Sequence, residues 1–186
     1  MIEFLKKRWL DVLLGLFLAL MLFPQTRQPV QIFIQRIIST SPSIIKEENQ
    51  EKLINYHLLF ENSDKEIENL IDYENQVIII NFWATWCAPC IAEMPDFVKL
   101  YDDYQDRVSF FFITQDEWEL VHKFEEKRKF NLPYFRLIEP NENLNYRQLP
   151  TTYVLDKNGK ILIDKVGVAD WNSDSFRKTL DELIAQ

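Results

Sequence analysis

The sequence predicts an α/β fold, a central mixed β-sheet flanked by helices, and three observations predict it. A mainly apolar run over residues 76–83 reads as a buried strand. It passes into a helical pattern that starts at residue 87 or 88 and ends near 104, and a second apolar strand follows at 108–114, the strand–helix–strand order of a parallel pair. Asp156-Lys157-Asn158-Gly159 then separates two strand-like runs, a hairpin that gives the sheet an antiparallel part. With 186 residues, 47% of them hydrophobic, the chain has room for one domain with a sizeable core and an appendage.

The appendage is N-terminal. Lys6, Lys7, Arg8, Arg27 and Arg36 against Glu3 and Asp11 give residues 1–36 a net +3, so residues 37–186 hold −11 of the formal total of −8. A pI near 4.9 argues against a nucleic-acid partner, because phosphate binding needs a clustered positive field. The basic triplet precedes Trp9 and the apolar run 12–23, whose 12 residues would span about 18 Å as a helix, short of a hydrocarbon core of roughly 30 Å. No small-x-small cleavage site follows, only Pro24-Gln25-Thr26-Arg27, and no cysteine stands there for lipid attachment. The favoured expectation is an uncleaved single-pass anchor in the inner membrane, its basic end cytoplasmic and the domain in the periplasm or extracytoplasmic space. Cleaved export and a buried helix of a cytosolic protein are the alternatives.

Residues 30–38 put Val30, Phe33, Ile34 and Ile37 on one helical face, to lie along a membrane or against the domain; Val30, Ile32 and Ile34 also alternate as in a strand. Residues 39–43 and 46–52 read as a linker. The expected organisation is therefore a basic end and anchor at 1–23, an amphipathic segment and linker at 24–49, and the α/β domain at 50–186.

Within the domain, residues 56–61 and 66–68 read as short strands around the turn Asn62-Ser63-Asp64. The helix to residue 104 places Ile91, Met94, Val98 and Tyr101 on one face, with Pro95 expected to kink it. Residues 118–130 form an amphipathic helix with Val121 and Phe124 inward, and 134–138 a short strand. Residues 149–155 lead into a strand, the Asn158-Gly159 pair prefers a type I′ turn, and 160–166 return. A closing helix over 172–185, capped by Asn172 or Ser173, turns Phe176, Leu180, Leu183 and Ile184 inward.

The chemistry-bearing residues stand where the first long strand hands over to its helix. Residues i and i+3 in a first helical turn bring their Cα atoms to roughly 5–6 Å, the span a disulfide needs, so Cys87 and Cys90 can close and open a bond with little backbone movement. Cys87 is the expected attacking thiol, because unpaired N–H groups and the positive end of the macrodipole favour its thiolate, and Cys90 the resolving one. Pro89 suits a first turn, where its missing N–H costs nothing. The chain holds no third cysteine, so this pair is available for chemistry. His57 and His122 are the only histidines and lack a metal-ligand spacing, so neither a metal nor an organic cofactor is implied.

Trp83-Ala84-Thr85-Trp86-Cys87-Ala88-Pro89-Cys90, with Pro95 eight residues after the first cysteine, Leu149-Pro150-Thr151-Thr152 farther on, and Gly159 and Gly167, resembles the thioredoxin superfamily. The strand pair at the start of the domain, the helix–strand unit near 117–138, Glu93-Met94-Pro95 and the N-terminal apolar run resemble its TlpA/ResA branch. The resemblance covers about residues 50–186 and implies a thioredoxin-like fold. It further implies that Pro150 is cis, which would expose the backbone of Leu149 beside the cysteines to pair with a substrate; an ordinary trans turn proline is the plainer alternative. Glu93 would tune Cys90 and relay its proton, unless it is a solvated first-turn acid. Asn81 stands where cytosolic thioredoxin has a buried acid, and being neutral it cannot accept that proton. Catalytic roles thus fall on Cys87, Cys90, Glu93 and Pro150, and substrate contacts on Trp86, Ala88, Pro89, Leu149 and Thr151, with core packing the alternative for Trp86.

The resulting expectation is a membrane-tethered thiol-disulfide oxidoreductase that reduces disulfides of envelope proteins, in the manner of cytochrome c maturation and redox homeostasis, recharged by a membrane electron donor. An oxidant or isomerase of exported proteins is the alternative within redox chemistry. A thiol peroxidase would have a threonine where Ala84 stands, three residues before Cys87. A non-catalytic binding module has no use for the cysteine pair.

Overall fold

The computed structural model describes residues 8–21, 24–53, 55–141, 143–144 and 146–186. A seven-stranded mixed sheet runs in the order β2-β1-β5-β4-β3-β6-β7, where β1 is Leu59–Glu61, β2 Ile67–Asn69, β3 Val77–Trp83, β4 Val108–Thr114, β5 Tyr134–Glu139, β6 Thr151–Leu155 and β7 Ile161–Val166. β3, β4 and β5 are parallel, and the flanking strands are antiparallel. All seven residues of β3 are buried, as its unalternating apolar run requires of a central strand covered on both faces.

The helices are α1 (Trp9–Met21), α2 (Pro24–Ile38), α3 (Ala88–Tyr104), α4 (Trp118–Arg128) and α5 (Asp174–Ala185). Period-two alternation sends Ile79 of β3 and Phe110 and Phe112 of β4 to one face, where they pack with Phe97 of α3, Phe124 of α4 and Phe176 of α5. Ile78, Ile80, Phe111 and Ile113 face the other way and are covered by Leu53, Leu58, the 3-10 turn Leu70–Tyr73 and Leu144 rather than by further α-helices. On α3 the deepest apolar side chains past Met94 are Phe97 and Leu100, with Val98 and Tyr101 only partly covered. The helix runs through Pro95, which lies inside it.

Two expectations change, and a third is narrowed. The hairpin is not type I′: only Gly159 of the Asn-Gly pair has a positive φ, +76°. The Asp156 carboxylate accepts the N–H groups of Asn158 and Lys160, and Gly159 N–H closes back on the Asp156 carbonyl, so the side chain of Asp156 dictates the turn. The supposed linker is docked, with Ile45 N–H donating to the Leu162 carbonyl, Leu53 N–H to that of Gly159, and Thr40 accepting from Asp170 N–H. Residues 30–38 are helical, yet α2 turns Ile32 and the half-buried Gln28, Gln31 and Gln35 to the domain and leaves Phe33, Ile34, Ile37 and Ile38 exposed. On α1, Trp9, Leu10, Val12, Leu13, Leu14, Leu16, Phe17 and Leu18 are exposed as well. Among the described residues no helix is long and apolar enough to cross a membrane.

Candidate active site

β3 ends at Trp83 and the chain turns, Cys87 N–H donating to the Ala84 carbonyl at 3.1 Å, before α3 begins at Ala88. The turn is pinned from β4, because Thr85 N–H donates to the Asp116 carboxylate at 2.6 Å and Asp116 N–H to the Thr114 hydroxyl at 3.1 Å. Cys87 is the N-cap of α3, and its Sγ accepts the N–H of Cys90 at 3.2 Å. Negative charge on that sulfur would be held by the first-turn amides and the helix dipole. The two cysteines are joined as a disulfide with Cα atoms 5.3 Å apart. Both cysteines are buried, Cys90 completely, and Cys87, 4% exposed, lines a surface groove.

That groove, of about 800 Å³, brings together Trp86, Cys87, Ala88, Pro89 and Leu149 of the sequence-predicted set. Trp86 is 69% exposed, a lip of the site rather than core packing, while Trp83 is buried. Leu149-Pro150 is cis, and Pro150 itself is buried. Thr151 is not among the groove-lining residues; it is buried and donates its hydroxyl to the Gln148 carbonyl at 2.7 Å. Behind Trp86, Leu149 and Tyr146 lies a second cavity of about 210 Å³, walled mainly by Phe82, Ile113 and Leu137.

Glu93, one turn after Cys90, is 1% exposed and so is not a solvated first-turn acid. Its Oε1 accepts from Asn81 Nδ2 at 2.9 Å; its Oε2 accepts from Trp171 Nε1 at 2.9 Å and Ala169 N–H at 3.4 Å. The other Asn81 donor bond goes to the Thr152 hydroxyl at 2.8 Å. Burial disfavours the carboxylate, the three N–H donors favour it, and burial prevails, pushing the acid up to about 8.

Reasoning from sequence alone did not find Trp171 and Ala169, which are brought to Glu93 only by the tertiary fold. Asn81 has a sequence signal: it is the one polar residue in the apolar β3 run, on the parity that faces α3. Arg27, Gln31, Gln115, Tyr146 and Arg147 complete the groove, and no local pattern marks them.

The AhpC/TSA family profile matches residues 49–163. The thiol-disulfide oxidoreductase ResA of Geobacillus thermodenitrificans is 38% identical over 98 residues, which cover 50% of this chain and 55% of that protein. The thioredoxin-like protein YneN of Bacillus subtilis is 34% identical over 123 residues, covering 62% of this chain and 70% of its own. The chain thus spans only about 55% of the length of the ResA proteins it matches. Among solved structures, a DsbF homologue from Corynebacterium diphtheriae has a TM-score of 0.58 at 19% identity, covering 77% of this chain and 94% of that one. A thioredoxin-family thiol:disulfide interchange protein from Chlorobium tepidum has a TM-score of 0.56 at 19% identity, covering 78% and 97%. At such identities the likeness is one of fold.

Proposed function

The chain belongs to the AhpC/TSA family, and on that premise we propose that it is a thioredoxin-like thiol-disulfide oxidoreductase working through Cys87 and Cys90. The observation that carries this reading is Cys87 as the cap of α3, its sulfur accepting an amide hydrogen bond at the edge of an open groove while its disulfide partner is buried. In the reduced protein the Cys87 thiolate attacks a substrate disulfide, forming a mixed disulfide and releasing one substrate thiolate. Cys90 loses its proton to the ionised form of Glu93 and attacks the Cys87 sulfur. The second substrate thiolate leaves, two electrons have passed to the substrate, and the protein is left as the Cys87–Cys90 disulfide.

The direction we assign is reduction of disulfides in exported proteins, of the cytochrome c maturation type, with a membrane dithiol donor restoring the pair. The likeness to proteins named ResA supports it. Residues 1–23 would anchor the chain, residues 24–49 lie at the membrane surface, and the domain of residues 50–186 face the extracytoplasmic space. The exposed apolar side chains of α1, and the outward row Phe33, Ile34, Ile37 and Ile38 of α2, support a lipid environment for that end. Cys90→Ala tests the activity: a protein-linked adduct on Cys87 that dissolves under reductant is expected in cells, and its absence contradicts the reading.

The family match also raises a thiol peroxidase. Ala84 stands where that chemistry would have a threonine, and the purified chain is expected not to consume peroxide.

A further inference from the structure

Helix α2 precedes the residues matched by the family profile, yet it forms one wall of the cysteine groove. Its docking residue Ile32 packs into the core on the α3 side, and the preceding turns bring Arg27 and Gln31 to the rim beside Cys87, Ala88 and Pro89. Arg147 lines the groove next to Tyr146 and Leu149. Among the described residues the groove is therefore lined by two guanidinium groups and no carboxylate, in a chain of formal net charge −8. The carboxylate of Asp116 lines the adjoining cavity instead and is engaged by Thr85 N–H. Arg27 makes no ion pair among the described residues.

We propose that α2 is part of the substrate site, and that Arg27 and Arg147 select a polypeptide segment with acidic residues flanking its target cysteine. The inference rests on the oxidoreductase reading for its chemistry but not for its binding. A negative surface repels an acidic protein at long range, and two exposed arginines on the rim of one groove reverse that sign locally. Guanidinium groups also meet carboxylates in a planar, two-bond geometry, which would hold the segment in register over Cys87.

The test uses the full chain, oxidised, in neutral detergent, and short peptides in which serine replaces the target cysteine, flanked by aspartates or by lysines. Trp86 fluorescence reports binding without any thiol chemistry. The acidic peptide is expected to bind about tenfold tighter than the basic one, with the preference shrinking as salt rises from about 50 to about 300 mM. Arg27→Glu should erase most of that preference, and Gln31→Glu, which leaves both arginines in place, should reduce it. Equal affinity for the two peptides, or a preference that survives Arg27→Glu, overturns the proposal. Reduction of the uncharged hydroxyethyl disulfide by the reduced wild-type chain is measured alongside: no exchange would refute the oxidoreductase reading while the binding result stood by itself.

Discussion

Trp171 donates its indole N–H to the Glu93 carboxylate over 2.9 Å, joining residues 78 positions apart. The bond ties the loop before α5 to the helix that carries both cysteines. With Asn81 and Ala169 N–H it gives a buried acid three donors, and Glu93 is still pushed up to about 8 because burial outweighs them. A buried acid that titrates near neutrality, one helical turn after Cys90, is suited to taking up a proton and giving it back.

The first consequence is for stability. The folded protein keeps the Glu93 proton up to about pH 8, whereas the unfolded chain releases it near 4.5. Folding therefore takes up a proton between those values, and stability falls as pH rises through that window, by at most about 5 kcal/mol, before levelling off. Glu93→Gln removes this contribution. Urea unfolding at pH 5 and pH 8.5 should show the wild type losing more stability than Glu93→Gln, and parallel losses would refute the buried acid.

Trp171→Phe keeps an aromatic ring on Phe97 and Phe176 but removes a donor from the carboxylate. A hydrogen bond to a charged group is worth about 1.5–3 kcal/mol, so the midpoint of Glu93 should rise by about 1–2 pH units. The carboxylate carbon signal followed by NMR against pH checks this. An unmoved midpoint would mean that the indole does not stabilise the ionised form.

A proton relay also has a kinetic signature. In Glu93→Gln, attack of Cys87 on a substrate disulfide should proceed, while release of the second substrate thiol slows by about 100-fold. Rapid-quench trapping separates the two steps. A slowdown confined to the first step would move the role of Glu93 to Cys87.

Gly159 and Gly167 both have positive φ, +76° and +86°, but differ in their surroundings. A Cβ on Gly159 would stand 2.1 Å from the Tyr56 hydroxyl oxygen, whereas nothing lies within 4 Å of one on Gly167. Gly167→Ala should cost about 1–2 kcal/mol of backbone strain alone, and Gly159→Ala clearly more, because the segment around Tyr56 must also move. Equal melting temperatures for the two variants would contradict that difference.

The parts of the fold legible in the sequence were those with one dominant local signal. β4 is residues 108–114 as expected, because a run of apolar and aromatic residues between charged turns leaves few alternatives. Cys87 and Pro89 were placed by motif, and both line the groove. α2 was harder: periodicity reveals that Val30, Phe33, Ile34 and Ile37 share a face but cannot say what covers it, and the structure docks the glutamine side with Ile32 instead. The turn at Asn158-Gly159 was misread because the Asp156 side chain, two residues earlier, supplies the competing hydrogen bonds. Trp171 gave no sign of its bond to Glu93, since a contact across 78 residues leaves no local pattern.

The most direct measurement of the central claim is the reduction potential of the Cys87–Cys90 pair, read from tryptophan fluorescence of the full chain against a series of thiol buffers. A reductant of exported proteins should lie near the thioredoxin value of about −270 mV. A value near about −120 mV, that of a strong disulfide donor, would contradict the account and make the protein an oxidant.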